Sequence, residues 1–154
     1  MGTLQEIIGT QRELNDQILS KLLVGGRSDF INHIPSKLHT VFNPGKVDHI
    51  AVHSDRAFWC RVYAQALQNE VVEFLESAGF KFWSKDKECD VQNLKVEVID
   101  MLHFWVSLCL LLGMTEEDIM NIYKQKAEIN KKRSDSGTYS RETKTEADNR
   151  AIKT

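Results

Sequence analysis

The sequence predicts an all-α protein built as a bundle of four to six helices. Four long segments carry apolar residues at the helical spacing of three and four, and glycines or capping residues stand at their ends. No segment of useful length alternates with the period of two that strands show. The 154 residues are 42% hydrophobic and 8% aromatic, a composition typical of one globular domain. The helical spacing, the residues that end the helices and the composition therefore all indicate an all-α fold.

The first predicted helix covers residues 3–24 and ends where its apolar period meets the Gly25-Gly26 pair. From residue 25 to residue 53 the period is lost and two prolines interrupt the chain. A connection of this length is uncommon within a compact domain and is often functional. We therefore expect segment 25–53 to hold short helices or to cover a site.

The second and third predicted helices are marked at both ends. Ser54 is a good N-cap for the second helix, which runs to about Ser77 and is stopped by Gly79. Asp90 caps the third helix, which ends near Gly113. Both helices are long enough to pack side by side in a bundle.

The fourth predicted helix opens at Thr115, which with Asp118 resembles a capping box, and runs to about Lys132. The chain beyond it is polar and rich in Ser, Thr, Lys and Glu, so we expect it to be flexible. The sequence thus predicts one all-α domain over residues 1–133, followed by a tail over residues 134–154 that is able to close over a site.

Charge and cysteine content exclude several classes of function. The formal net charge is -2 and the pI is near 6.2, with the basic residues scattered, so we expect neither nucleic acid nor a membrane as a partner. Three cysteines without metal-ligand spacing fit a reducing compartment. The first residues lack the basic and apolar regions of a signal peptide, so we expect a cytoplasmic protein.

A stripe of polar residues follows the third helix, which is otherwise apolar on almost every side. The stripe consists of Asn93, Glu97, Asp100, His103 and Ser107. Steps of four, three, three and four keep these side chains within one sector of the helix. We expect a helix of this composition to be buried, where an ionised carboxylate must be paired, protonated or bound to a cation. The two acids of the stripe are therefore candidate metal ligands.

A second pair of acids, Glu70 and Glu73, lies on the second helix at the same i, i+3 spacing. Such pairs usually lie on a solvent-exposed helix face with Lys or Arg nearby. Neither basic residue occurs in segments 67–79 and 96–123. Two facing helices would bring four carboxylates together, and ligands that are oxygen only suit Mg²⁺ or Mn²⁺. The sequence therefore predicts a metal cluster.

Asp100 and His103 also form an acid-x-x-His pattern of the kind found in di-iron bundles. Those bundles repeat the histidine on a second helix, whereas Glu73 is followed at that spacing by Glu76. The missing histidine favours oxygen ligands alone.

Polar residues on the fourth helix are candidates for phosphate contacts. Lys126, Asn130 and Arg133 fall on one line, which places an ammonium, an amide and a guanidinium together. A solvated helix face has the same pattern. The carboxylate cluster upstream favours a phosphate clamp bridged by metal ions.

Three residues are candidates for contacts with a base. Gln11 and Asn15 lie at i, i+4 on the first helix, and paired amides can read the donor and acceptor edge of a base, although amides on a helix surface are ordinary. Trp83 could stack on a ring or anchor the turn between two helices, and the second role is the commoner one.

The order of these motifs along the chain resembles one family. The motifs are Gln11-x-x-Leu14-Asn15, Glu70-x-x-Glu73, Lys81-x-Trp83, Glu97-x-x-Asp100-x-x-His103-Phe104 and Lys126-x-x-x-Asn130-x-x-Arg133, with Gly137 after them. They resemble the dimeric all-α dUTPases, which belong with the MazG-like nucleotide pyrophosphohydrolases. The resemblance extends to Tyr139 and is weakest in segment 25–53.

The resemblance implies hydrolysis of dUTP, and often of dUDP, to dUMP, which serves nucleotide-pool sanitation and the supply of dTMP precursor. It implies a homodimer whose subunits share their active sites. The implied magnesium ligands are Glu70, Glu73, Glu97 and Asp100, and Glu73 is also our choice of general base. The implied base contacts are Gln11 and Asn15, and the implied phosphate contacts are Lys126, Asn130 and Arg133, with the tail closing over them. Trp83 and Tyr139 are further candidate substrate contacts.

Two other functions remain open from the sequence. One is a dCTPase or a broader MazG-like dNTP pyrophosphohydrolase, because base preference depends on Gln11, Asn15 and segment 25–53. The other is a non-catalytic, metal-binding helical dimer whose carboxylates only stabilise the fold or bind a partner. Pyrophosphate release from a panel of dNTPs separates the three functions.

Overall fold

The computed structural model describes residues 3–24, 45–79, 83, 89–136 and 149–153. Four long helices and no strand lie within these residues, so the predicted all-α class is confirmed. The helices are α1 (Leu4–Val24), α2 (Asp55–Ser77), α3 (Val91–Leu111) and α4 (Glu116–Asp135). Most of the predicted 25–53 connection lies outside the described residues.

The N-termini of α2 and α3 begin at the predicted capping residues. The Ser54 side chain accepts a hydrogen bond from the backbone N–H of Ala57 at 3.2 Å. The Asp90 carboxylate accepts one from the N–H of Asn93 at 3.0 Å. Each cap satisfies an N–H that has no partner inside its helix, so both starts could be read from local sequence.

The predicted capping box of α4 is present with Asp in the usual Glu position. Thr115 Oγ1 accepts from the N–H of Asp118, whose carboxylate accepts from the N–H of Thr115 at 2.8 Å. Gly79 and Gly113 follow the ends of α2 and α3 with φ of +69°, a conformation that side chains with a Cβ rarely adopt. The ends of α2 and α3 are therefore those that the sequence predicts, whereas α4 runs on to Asp135, past its predicted end near Lys132.

The chain divides into two compact units, Met1–Gly113 and Met114–Thr154. In the first unit α3 packs against both α2 and α1. Its most deeply buried apolar side chains are those of Leu19, Trp59, Val106, Leu110 and Leu111. The second unit contains α4 and the short described segment 149–153.

The helix α3 is buried on one side only, so the expectation of all-round burial is wrong within the single chain. Val106 is 0% exposed, whereas Val98 is 48% and Ile99 is 50% exposed. The physical reason is that, among the described helices of the first unit, α1 and α2 both pack against α3 and cover only one sector of it. Among the described residues, no single helix is long and apolar enough to cross a membrane.

Candidate functional site

Three acidic side chains from two helices meet in the first unit. Glu70 comes from α2, and Glu97 and Asp100 come from α3. One carboxylate oxygen of each lies within 4.8 Å of one oxygen of the other two. The three carboxylates are close because Glu97 and Asp100 lie at i, i+3 on one face of α3, and that face is turned toward Glu70 on α2.

Asn93 holds the most buried of these acids in place. Glu97 is 6% exposed, and its Oε1 accepts a hydrogen bond from Asn93 Nδ2 at 2.8 Å. The same amide donates to Ser77 Oγ at the end of α2, at 2.7 Å. The amide therefore joins the end of α2 to Glu97 and fixes the orientation of that carboxylate.

The electrostatics of the cluster favour a cation. Burial and the neighbouring charges of Glu73, Asp100 and Glu97 raise the pKa of Glu70 above its ordinary value. Like charges at this distance oppose the ionisation of one another, and a bound cation reverses that effect. The donor set is oxygen only, which fits Mg²⁺ or Mn²⁺ better than softer metals.

Glu73 lies beside this cluster and not within it. Its side chain is exposed, and it is absent from the group of acids whose oxygens lie within 4.8 Å of one another. Its charge still contributes to the raised pKa of Glu70. The structure thus brings together three of the four acids predicted as ligands and places the fourth one turn away on α2.

A network of neutral hydrogen bonds lies between α1 and α3. Gln11 and Asn15 are 5% and 1% exposed, so these amides are buried rather than on a helix surface. Gln11 Nε2 donates to Asn15 Oδ1 at 2.9 Å, and both amides donate to Ser107 Oγ, at 3.1 and 3.0 Å. His103 Nδ1 lies 2.6 Å from Gln11 Oε1. The two predicted base contacts are thus held by two residues of the polar stripe.

One cavity joins the acids to the amide network. Its volume is about 490 Å³, and α1, α2 and α3 all contribute to its wall. Glu70 and Asp100 line it together with Gln11, Asn15 and His103, and the rest of the wall is mainly apolar and aromatic. Cavities of this size and lining hold small organic ligands. A ligand here would meet hydrogen-bonding groups and carboxylates at the same time.

A family model described as dUTPase matches residues 3–111. The chain belongs to the dUTPase family. No curated protein and no solved structure matches it. The match begins just before α1 and ends at the last residue of α3, so it contains the acid cluster, the amide network and the cavity of this dUTPase-family chain. The helix α4 lies beyond the matched residues.

The remaining predicted contacts belong to the segment between α2 and α3 and to the second unit. Trp83 is 67% exposed. In the second unit, Lys126 Nζ donates to Asn149 Oδ1 at 2.7 Å, and Asn130 and Arg133 are partly buried. The remaining predicted contact, Tyr139, lies outside the described residues.

Two aromatic residues of the cavity were missed in the sequence. Trp59 and Tyr63 of α2 are 3% and 8% exposed, and the Tyr63 hydroxyl donates to Asn15 Oδ1 at 3.4 Å. Burial raises the pKa of Tyr63 to about 12, so this hydroxyl keeps its proton. Spacing was the available signal, because Trp59, Tyr63, Ala66 and Glu70 follow at i, i+4, i+7 and i+11 along one helix face.

Proposed function

We propose that this dUTPase-family protein hydrolyses dUTP, and also dUDP, to dUMP in a reaction that requires Mg²⁺, with Mn²⁺ as an alternative. The observation that carries the proposal is that carboxylates and buried amides, those of Glu70, Asp100, Gln11 and Asn15, line one cavity. Carboxylates suit the metal that accompanies phosphate groups, and the amides suit a base. Such an activity would remove dUTP from the nucleotide pool and supply the precursor of dTMP.

The proposed metal ligands are Glu70, Glu97 and Asp100, with Glu73 beside them. When bound, magnesium supplies charge neutralisation on phosphate oxygens and acidifies water. Asn93 donates a hydrogen bond to Oε1 of Glu97, so Oε2 is the oxygen more available to a metal ion. Glu73 is exposed and close enough to influence Glu70, which suits a base that takes the proton of the attacking water.

The phosphate contacts are proposed on α4. Lys126, Asn130 and Arg133 offer two cationic groups and an amide along one helix, in a spacing that suits phosphate oxygens. The tail over residues 134–154, with Tyr139, would close over the bound phosphates. In the same proposal Trp83 stacks on the base, and the protein acts in the cytoplasm.

A homodimer is the proposed assembly. On α3, Val98 and Ile99 are 48% and 50% exposed, and on α2 Val71, Val72 and Leu75 are 40%, 48% and 40% exposed. Neighbouring exposed apolar side chains on two helices are typical of a surface that another chain covers. Sedimentation velocity at micromolar concentration checks this, because a species of one chain mass would contradict it.

Substrate and metal are tested with a panel of nucleotides. We expect pyrophosphate release from dUTP and phosphate release from dUDP in the presence of Mg²⁺, and loss of both with EDTA. Preferred release from dCTP, or release from many dNTPs alike, would favour the broader pyrophosphohydrolase. No metal-dependent turnover of any nucleotide would favour the non-catalytic helical dimer.

The acid cluster is tested with Glu97→Gln. Glutamine keeps the shape of the side chain and an oxygen that accepts from Asn93, so the fold should survive while the ligand charge is lost. We expect kcat/KM for dUTP to fall by about a thousandfold or more, since a metal ligand is removed. Glu13→Gln on the exposed side of α1 is the matched control and should change nothing. A Glu97→Gln protein with full activity would exclude the cluster as the catalytic site.

A further inference from the structure

The end of α2 is tied to the start of α3 by two contacts that meet at Ser77. The backbone N–H of Asp90, the N-cap of α3, donates to the backbone oxygen of Ser77 at 3.2 Å. Within the first turn of α3, Asn93 Nδ2 donates to Ser77 Oγ at 2.7 Å. The Asp90 carboxylate accepts from the backbone N–H of Asn93 at 3.0 Å, so the cap also holds Asn93. We call Ser77, Asp90 and Asn93 the clasp.

Asn93 uses both hydrogens of its amide nitrogen. One goes to Ser77 Oγ, and the other goes to Glu97 Oε1 at 2.8 Å. An amide nitrogen carries two hydrogens and accepts none, so the two contacts fix a single orientation of the amide. If the amide turned over, its oxygen would face the Glu97 carboxylate, and two acceptors would meet without a hydrogen between them. The position of the Glu97 carboxylate therefore depends on where Ser77 lies.

The clasp also limits how far α2 can slide along α3. The helices run in opposite directions, since Arg56 at the start of α2 donates to the backbone oxygen of Leu111 at the end of α3, at 2.7 Å. Ser77 follows Glu70 by seven residues, or about two turns, so both lie on one face of α2. A slide of one turn, about 5.4 Å, exceeds the 4.8 Å within which the acid oxygens lie. The clasp and the acid cluster therefore require the same register of the two helices.

Little apolar packing holds the half of α2 that carries Glu70. The buried side chains of α2 are Trp59 and Tyr63, both in its first half, and every side chain from residue 64 to residue 77 is at least partly exposed. The carboxylates of the acid cluster repel one another, which opposes the approach of α2 to α3 at this half. The clasp is the polar contact that acts against this repulsion before a cation binds.

We propose that Ser77 is a positioning residue for the metal ion, because through Asn93 it holds Glu70 and Glu97 at the spacing that one cation can bridge. This inference rests on the proposed metal-dependent hydrolysis and adds the residue that prepares its metal site. Ser77 itself lies two turns from Glu70 and supplies no ligand. Loss of a hydrogen-bond partner behind a metal ligand typically lowers metal affinity by about 10- to 100-fold.

The test is the dissociation constant for Mn²⁺ alone, measured by EPR titration of the nucleotide-free protein. We expect Ser77→Ala to raise this constant by about tenfold or more, and Ser77→Thr, which keeps the hydroxyl, to restore it. Gln92→Ala is the matched control, since Gln92 is exposed on the same turn of α3 as Asn93 and should not affect Mn²⁺ binding. An unchanged constant in Ser77→Ala would overturn the inference.

A double-mutant cycle separates positioning from a general loss of stability. If Ser77 acts through Asn93, Ser77→Ala added to Asn93→Ala should weaken Mn²⁺ binding no further than Asn93→Ala alone. Losses that add would show that Ser77 acts by another route, and would contradict the inference. Circular dichroism at the titration temperature checks that each variant keeps its helices.

The wild type offers a measurement that requires no variant to fold. In EDTA, NMR should show that the Nδ2 hydrogens of Asn93 exchange with water more slowly than the side-chain amide hydrogens of Gln92, because both Asn93 hydrogens are bonded. Equal exchange rates would exclude a clasp that forms before the metal binds. A wild type that binds Mn²⁺ but hydrolyses no nucleotide would contradict the proposed function and leave the Mn²⁺ test of Ser77 decisive. A wild type without affinity for Mn²⁺ would overturn both.

Discussion

The acid cluster and the amide network line the same cavity, yet they differ in how complete they are without a ligand. The network joins Gln11, Asn15 and Ser107 by neutral hydrogen bonds of about 3 Å. The cluster places Glu70, whose pKa is raised, beside other carboxylates. One half of the cavity is therefore satisfied by hydrogen bonds within the chain, whereas in the other half a proton or a cation would relieve the repulsion between carboxylates.

This contrast explains why the two halves can share one helix. The side chains of Asp100 and Ser107 lie two turns apart on α3, so the same backbone carries both. A rigid, satisfied network fixes where a base would lie, and a charge-poor setting for the acids strengthens the binding of a cation. Rigidity at one end of a ligand is useful for reaction at the other, since positioning lowers the entropy that the reaction has to supply.

The largest expected effect is a loss of kcat in a variant of Glu73, the acid that lies just outside the acid cluster. Glu73→Gln should lower kcat for dUTP by about 10²- to 10⁴-fold, because a general base is removed. It should lose less Mg²⁺ affinity than Glu97→Gln does, because Glu73 lies outside the group of acids within 4.8 Å of one another. Metal titration of both variants by calorimetry measures the difference. Equal loss of affinity in the two variants would make Glu73 a ligand rather than a base.

A smaller effect is expected from breaking the network. Asn15→Leu keeps a similar shape but removes one buried hydrogen bond from each of Gln11 and Ser107, so we expect the free energy of unfolding to fall by about 1–3 kcal/mol. Gln17→Leu, on the exposed side of the same helix, is the control and should change stability little. Urea unfolding followed by circular dichroism measures both. Equal stability of the two variants would show that the buried amide contributes nothing.

Local features of the fold were predictable from sequence, and features made by tertiary contact were not. Ser54, Asp90 and Thr115 cap their helices through bonds to residues three positions away, so the chain itself contains the signal. The burial of Gln11 and Asn15 depends on Ser107, more than ninety positions along the chain, and no local pattern reports it.

The candidate site likewise has features that local sequence predicts and features that depend on helix packing. Spacing on one helix was enough to pair Glu97 with Asp100, and a missing counter-charge was enough to suggest a cation. Whether Glu70 or Glu73 joins them depends on the rotation of α2 against α3, which i, i+3 spacing leaves open. In the structure, Glu70 is the acid of α2 whose carboxylate has an oxygen within 4.8 Å of oxygens of both Glu97 and Asp100.

The smallest expected effect is on the stability of the metal-free protein and has an unusual sign. Glu70→Gln should raise the melting temperature at pH 7 by less than about 4 °C, because it removes a charge that burial and the neighbouring carboxylates oppose. Glu13→Gln is the control on an exposed helix face. Calorimetric melts with EDTA, and with Mg²⁺, measure the change.

The pH dependence follows from the direction of the pKa shift. A carboxyl whose pKa is higher in the folded than in the unfolded protein favours folding below its ordinary value of 4.5 and loses that contribution as pH rises through the folded value. The advantage of Glu70→Gln over the wild type should therefore vanish in acid and be complete at neutral pH. Saturating Mg²⁺ should reverse the order, because only the wild type keeps the ligand that the cation needs. A wild type that is the more stable of the two in EDTA at pH 7 would mean that the acid cluster, like the amide network, is already satisfied by the chain.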